Sequence, residues 1–381
     1  MDFGLTETHR LIRESVRKFC VRELEPIAMD IDREGRFPME VYKEAGRQGF
    51  IGALIPRQYG GGEHDLLSFY IIKEELCRAA GGFGQVVGVC ALNFCYFISK
   101  LGSKEQKEKY IPPVIQGEKL ASYCLTEPNA GSDTMSIQTR AIRKGDHFVL
   151  NGSKTFITSA PIADYFIVVT RTSGTTGFRG ATNFLLERGT KGVSTGKPFE
   201  KLGMRCSPMG EVFLDDVLAS REQVIGTEDE GFFEMLNILD VERALAAATA
   251  TGIAQACLDA SIRYARDRVQ FGKPIPEFQL VQEKLAEMDL NLELARTYAH
   301  KVVWLCEQGK KITREAAIAK LFASQITMKS AQDAVQIHGG YGCIQEFPVE
   351  RYFRDAKLCE IGGGTSEIQK RIIARELMRK G

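Results

Sequence analysis

The spacing of apolar residues changes period twice along this chain, and that double switch limits the folds open to it. From Thr6 to about Lys119 apolar residues recur every three or four positions, as in Leu11-Ile12, Val16 and Phe19, and again in Leu66-Leu67, Tyr70-Ile71 and Leu76. Breaks fall at Pro38, from Pro56 to Gly62, at Gly81-Gly82 and at Pro112-Pro113. Beyond Leu120 come short strand-like runs at 121–125, 137–142, 147–150, 156–158, 165–170, 183–186 and 211–214. Asn151-Gly152 follows Phe148-Val149-Leu150 and predicts a two-residue hairpin turn. Past Gly231 the helical period returns and holds to the end, with a stretch at 244–256 rich in Ala whose small side chains let helices approach closely. The order predicts an α+β fold with a helical domain over 1–119, a small antiparallel sheet or barrel over 120–225, and a second helical domain over 226–381.

Composition narrows the function. A chain of 381 residues exceeds what one core organises, consistent with several domains. Lys plus Arg is 50 against 49 for Asp plus Glu, so the net charge of +1 argues against a nucleic-acid partner. No apolar run approaches the ~18 residues of a membrane span. Met1-Asp2-Phe3-Gly4 begins neither a basic nor an apolar leader, which reads as an unexported, cytoplasmic protein; a mitochondrial matrix protein already stripped of its transit peptide reads the same way. The ten cysteines include no CxxC pair and the five histidines are dispersed, so no metal site is expected and the cysteines read as small buried residues.

Five segments carry chemistry. Tyr123-Cys124-Leu125-Thr126-Glu127-Pro128-Asn129-Ala130-Gly131-Ser132-Asp133 is a strand entering a turn dense in hydroxyls and backbone donors, able to hydrogen-bond the edge of a heterocycle. Phe156-Ile157-Thr158 is an alternating triplet that would serve equally as core. Arg268-Val269-Gln270-Phe271-Gly272, with Gln279 downstream, offers a guanidinium fork matched to phosphate oxygens. In Gln336-Ile337-His338-Gly339-Gly340 the glycine pair admits close backbone approach to a phosphate or adenosine, although no βαβ pattern surrounds it. Last comes Gly362-Gly363-Gly364-Thr365-Ser366-Glu367-Ile368-Gln369, where Ser366 and Gln369 have capping-box spacing.

Together, in this order, these segments resemble the acyl-CoA dehydrogenase family over essentially the whole chain. The resemblance implies a carboxy-terminal four-helix bundle and one FAD per chain. It assigns FAD contacts to Tyr123, Leu125, Thr126, Gly131, Ser132, Phe156, Thr158, Arg268, Phe271, Gln279, Gln336, Gly339, Gly340, Thr365 and Glu367. It places acyl-CoA against Ser132, Asp240, Arg243, Gly363 and Gly364. It further implies an electron-transfer flavoprotein as partner and a homotetramer built on the carboxy-terminal helices, for which the Ala-rich stretch offers a packing face and in which the adenine end of FAD reaches a neighbouring subunit near Gln336–Gly340.

The catalytic base is the informative departure. Most of the family has glutamate at the position matched by Gly363. Here Glu242, in Leu239-Asp240-Val241-Glu242-Arg243, supplies a carboxylate where most members have none. The isovaleryl-CoA and long-chain branches share this exchange. Spacing alone would read Glu242 beside Arg243 as a solvated pair, and Glu360 is the rival base. The resemblance makes Glu242 the base and favours a short, branched or alicyclic acyl group; straight-chain acyl-CoA, or an oxygen-using oxidase on the same fold, are the alternatives.

Overall fold

The computed structural model describes residues 4–173 and 178–379; the first three residues of the amino-terminal stretch read above lie outside them. The first third is helical: α1 (Glu7–Phe19), α2 (Ala28–Glu34), α3 (Met39–Arg47), α4 (Leu66–Ala79), α5 (Gly81–Gly88), α6 (Phe97–Leu101) and α7 (Lys104–Ile115). Side-chain caps start these helices where the sequence offers oxygen. Thr6 accepts from His9 N on α1, Asp65 accepts from Ser68 N on α4 at 2.8 Å, and Ser103 forms a reciprocal box with Gln106 on α7. A π-wound stretch, Val89–Tyr96, joins α5 to α6. Pro112 and Pro113 do not break the chain as expected. They lie inside α7, where buried Ile111, Val114 and Ile115 hold the last turn against the core.

Helix α4 is enclosed on nearly every side, and its polar residues Lys73, Glu74 and Glu75 are buried with the rest. The stretch Gly81–Leu101 and helix α8 (Gly231–Asp267) are long and apolar enough to cross a membrane, contrary to the reading from contiguous runs. Of their most apolar windows 83% and 78%, respectively, is covered by protein, so both are core helices.

The middle third is one sheet. Strands β2 (Arg140–Lys144), β3 (His147–Thr158), β4 (Tyr165–Arg171), β5 (Ala181–Glu187), β6 (Val193–Thr195), β7 (Met209–Ser220) and β8 (Val224–Ile225) follow the order β6-β7-β3-β2-β4-β5-β8, and β1 (Ala121–Cys124) pairs with β4. The pairing of β4 with β1, and its single bridge to β2, are parallel, so the sheet is mixed rather than antiparallel throughout. The expected hairpin at Asn151-Gly152 is absent. Strand β3 runs straight through it, and the turn lies earlier, at Gly145-Asp146, where Lys144 pairs with His147 and Gly145 takes φ +64°. Gly152 instead forms a bulge opposite β7, pressed so close to Thr139 that a Cβ would lie 2.6 Å from its hydroxyl. Asn151 is occupied by hydrogen bonds with Asp216.

The last third holds α8, a short ribbon of β9 (Val269–Gln270) and β10 (Lys273–Pro274), then α9 (Gln279–Glu307), α10 (Thr313–His338), α11 (Val349–Cys359) and α12 (Ser366–Met378). Helix α10 packs against the other four. The Ala-rich face of α8 is spent inside the chain, not offered to a partner. Ala244, Ala247, Ala248, Ala250 and Ala254 are buried, and at Gly252 a Cβ would sit 2.3 Å from the Glu74 carbonyl of α4.

Candidate active site

One wall of the site is the segment leaving β1. Strand β3 clamps it: Thr155 N–H donates to the Thr126 carbonyl at 2.9 Å, and the fully buried Lys154 ammonium donates to the Leu125 carbonyl at 3.1 Å and to Glu127 at 2.7 Å. Glu127 also accepts from the N–H groups of Gln138 and Thr139. Burial pushes its carboxyl up, but Lys154 and these donors outweigh that and hold it below the usual range. This clamp fixes Leu125 and Thr126 while leaving Gly131 and Ser132 exposed. The Tyr123 hydroxyl is buried without a partner among the described residues; burial, and next the charge on Glu242, push its pKa up. A register shift between Lys154 and Ile157 turns Phe156 out of β3 at φ +55°, a left-handed backbone that only a surrounding structure sustains. Its ring is 62% exposed and leans on Phe199 at 5.6 Å between centroids. Thr158 stays close, its carbonyl accepting the Ser122 hydroxyl at 2.7 Å.

The opposite wall joins α8 to the loop before α12. Glu242 is partly exposed and has no hydrogen-bond or ion-pair partner among the described residues. A Cβ placed on Gly363 would lie 3.8 Å from Glu242 Oε1. Two positions about 120 residues apart in sequence therefore converge on one point. Asp240 accepts from Arg243 Nη1 at 2.8 Å and from the Thr313 hydroxyl, while Arg243 Nε is buried without a partner among the described residues. Glu360, the rival, is bound by Lys357 at 2.6 Å.

Gly363 and Gly364 take φ +66° and +95°, and their carbonyls accept from Gln369 Nε2 at 3.2 and 2.9 Å. The Gly364 carbonyl also accepts from Lys320 Nζ at 2.7 Å. Burial lowers the Lys320 pKa to about 8, against the opposing charges of Cys359, Glu242 and Glu360. The cap of α12 is Thr365, whose hydroxyl accepts from Ile368 N, and not Ser366, which is already the first helical residue. Glu367, in that first turn, faces solvent.

The remaining assigned residues lie elsewhere. Arg268 caps the far end of α8, 26 residues beyond Glu242, or about 39 Å at 1.5 Å rise per residue. There Arg268, Gly339 and Gly340 line a cavity of about 440 Å³ with Tyr264, Gln270 and Tyr341. Gln279 and Gln336 are exposed at this end, and Phe271 is 94% exposed. The assigned residues thus fall into two clusters toward opposite ends of one helix, as a cofactor reaching a neighbouring subunit near Gln336–Gly340 requires. Sequence reading also missed Lys154, Lys320 and Lys73, whose only signal is a cation set within an apolar pattern.

The first cluster suits the flavin end of FAD, with a buried hydroxyl at Tyr123 lacking a partner, an outturned ring at Phe156 and carbonyl-lined turns at Gly363-Gly364. The acyl-CoA dehydrogenase amino-terminal, middle and carboxy-terminal domain models match residues 6–118, 122–217 and 229–378. A short-chain-specific acyl-CoA dehydrogenase of Clostridium acetobutylicum is 41% identical with both chains covered in full. The mitochondrial isovaleryl-CoA dehydrogenase of Pongo abelii is 39% identical over 98% of this chain and 89% of its own. A subunit of the caffeyl-CoA reductase-Etf complex of Acetobacterium woodii is 36% identical over 98% and 99%. The solved butyryl-CoA dehydrogenase of Megasphaera elsdenii superposes with a TM-score of 0.97 at 38% identity, both chains covered in full. The chain belongs to the acyl-CoA dehydrogenase family, an FAD-dependent class of oxidoreductases.

Proposed function

We propose that this enzyme dehydrogenates a short, branched or alicyclic acyl-CoA to the 2-enoyl-CoA, with Glu242 removing the α-proton and an electron-transfer flavoprotein accepting the electrons. The observation that carries the base assignment is the 3.8 Å between Glu242 Oε1 and the Cβ position of Gly363. A carboxylate on either residue reaches the same point, and only Glu242 has one. FAD, when bound, supplies the acceptor for the β-hydrogen as hydride. The chain's own part is to hold the thioester so that its α-carbon meets Glu242 and its carbonyl meets a donor. The Gly363 N–H makes no backbone hydrogen bond within the described residues and is available for that carbonyl. Arg243 Nε, buried and unpartnered, is a further donor beside the base.

The lack of a side chain at Gly363 leaves room beside the reacting carbons for a second substituent, which supports a branched or alicyclic acyl group. The likeness to a subunit of a reductase-Etf complex supports the flavoprotein partner. We also infer a homotetramer, supported by the far cluster. Arg268, Gly339 and Gly340 lie too far from Glu242 to serve the same cofactor within one chain, so they would complete the FAD site of a neighbouring copy. Glu242→Gln tests the base: turnover should fall ~10²–10⁴-fold with FAD content unchanged. Near-normal turnover, with the loss appearing in Glu360→Gln instead, overturns the assignment.

A further inference from the structure

The turn that carries the Gly363 N–H has no side chain from residue 362 to 364, so its course depends on what grips its carbonyls. Two donors from different helices do so. Gln369 of α12, fully buried, donates from Nε2 to the Gly363 and Gly364 carbonyls at 3.2 and 2.9 Å. Lys320 of α10, 2% exposed, donates from Nζ to the Gly364 carbonyl at 2.7 Å. The lysine joins no ion pair among the described residues, so its ammonium is given over to this carbonyl. A bond from a charged donor is shorter and stronger than the amide bonds beside it. The turn so held is the one that faces the base, since a Cβ on Gly363 would lie 3.8 Å from Glu242 Oε1. Its Gly363 N–H makes no backbone bond within the described residues.

An ammonium buried against a neutral carbonyl, with no carboxylate paired to it, is an unfavourable way to stabilise a fold. A methionine would fill much the same path without that penalty, and Gln369 would still satisfy the carbonyl. What methionine lacks is the grip on the turn. A donor helps proton removal only if it points at the oxygen where negative charge develops, and a 1 Å misplacement costs ~10²-fold. We propose that Lys320 is a positioning residue for the dehydrogenation: it holds the 362–364 turn so that the Gly363 N–H meets the thioester carbonyl while Glu242 meets the α-carbon. This rests on the dehydrogenase reading above and adds the residue that aims its carbonyl donor. Lys320 acts through Gly364. Burial lowers its pKa to about 8. The charged and titratable groups that face it are Cys359, Glu242 and Glu360, which oppose that shift, and Arg243, which adds to it. As pH rises through 8 the ammonium becomes an amine, a weaker donor, and the turn loosens.

The test compares the FAD-loaded enzyme with Lys320→Met, using butyryl- and isovaleryl-CoA. FAD content should be unchanged and the denaturation midpoint unchanged or higher. KM should move less than about threefold, while kcat should fall ~10²-fold. The direct readout is the infrared carbonyl stretch of a bound 2-enoyl-CoA labelled with carbon-13 at the thioester carbon. Donation from Gly363 lowers that frequency, and Lys320→Met should return it part of the way to its value in water. In the unaltered enzyme the lowering should relax as pH rises through about 8, whereas in Lys320→Met it should not vary with pH. If Lys320→Met fails to hold FAD, the pH series on the unaltered enzyme decides. An unchanged carbonyl frequency or a kcat within about threefold in Lys320→Met overturns the inference, as does a lowering that stays constant across that range in the unaltered enzyme. Each of these leaves the dehydrogenase reading standing. Failure of every acyl-CoA to bleach the flavin overturns the dehydrogenase reading and this inference with it.

Discussion

Replacing Lys154 with Met removes the charge that clamps the flavin-side segment while keeping the length of the stem. Lys154 is fully buried, and the change strips one donor from the Leu125 carbonyl and the ion-pair partner at 2.7 Å from Glu127. An orphaned buried carbonyl costs ~1–3 kcal/mol. Glu127 keeps two backbone N–H donors, and its alternative is to protonate. From its ordinary pKa of 4.5, protonation at pH 7 costs about 3.4 kcal/mol, at 1.36 kcal/mol per pH unit. Protonation caps the Glu127 penalty, which adds to that of the carbonyl, so the total should fall near ~3–5 kcal/mol, the range for breaking a buried pair. Rigid neighbours in β3 and β7 will pass much of it to the segment itself, so FAD affinity should drop by about 10²-fold or more, 1.4 kcal/mol being tenfold. Fluorescence titration of apoenzyme with FAD, beside urea denaturation, measures both. Glu127→Gln added to Lys154→Met removes the stranded charge and should recover most of the loss. In the single variant Glu127 has a raised pKa, so its deficit should shrink as pH is lowered toward 5. FAD affinity and denaturation midpoint both unchanged in Lys154→Met would refute the reasoning.

His300 stacks edge-on against Tyr70 at 5.0 Å, and burial depresses its pKa to about 4, so it contributes stability fully present above pH 6.5 that is lost as pH falls through 4. His300→Phe keeps the ring contact and should flatten this part of the acid-denaturation curve; an unchanged slope between pH 6.5 and 4 counts against it. Phe271→Asp should split the assembly and lower FAD occupancy together, because that ring is 94% exposed beside the far cluster; light scattering that finds a stable, active, FAD-loaded monomer of the unaltered chain refutes the tetramer.

How much of this was legible in the sequence depended on scale. The two switches of period revealed the helix–sheet–helix order, because burial on one face leaves a spacing that survives averaging. Asn151-Gly152 misled because the same dipeptide suits a tight turn and a bulge, and only the register of β3 against β7 tells them apart. The parallel pairing of β1 with β4 involves strands more than 40 residues apart and has no local signal. In the site, the closeness of Gly363 and Glu242 was readable, since a motif match aligns both. The separation of Gln336–Gly340 from the rest came from the resemblance alone; its length, set by α8 running unbroken for 37 residues, had no local signal. Lys73 was hidden for a related reason. A lysine followed by Glu74-Glu75 reads as a solvated helix face, and only the packing around α4 shows that no such face exists.

The two halves of the glutamate exchange support each other beyond charge. Gly363 sits at φ +66°, where an L side chain is disfavoured by ~1–2 kcal/mol, so a base carried there must be held in a strained turn. Glu242 lies in mid-helix between Val241 and Arg243, both buried, and its backbone is set by ordinary helical bonds. Moving the carboxylate to α8 relieves the loop of that strain and empties the volume 3.8 Å from Glu242 Oε1. The loop keeps its course through bonds that no side chain at 363 takes part in: Lys320 and Gln369 hold its carbonyls, and Thr365 caps the helix that follows. That leaves the Gly363 N–H in place beside the proposed base, Glu242. A glutamate returned to position 363 would reach the same point, but from a backbone that glycine alone adopts without strain. The exchange is therefore easier in the direction this chain has taken than in reverse.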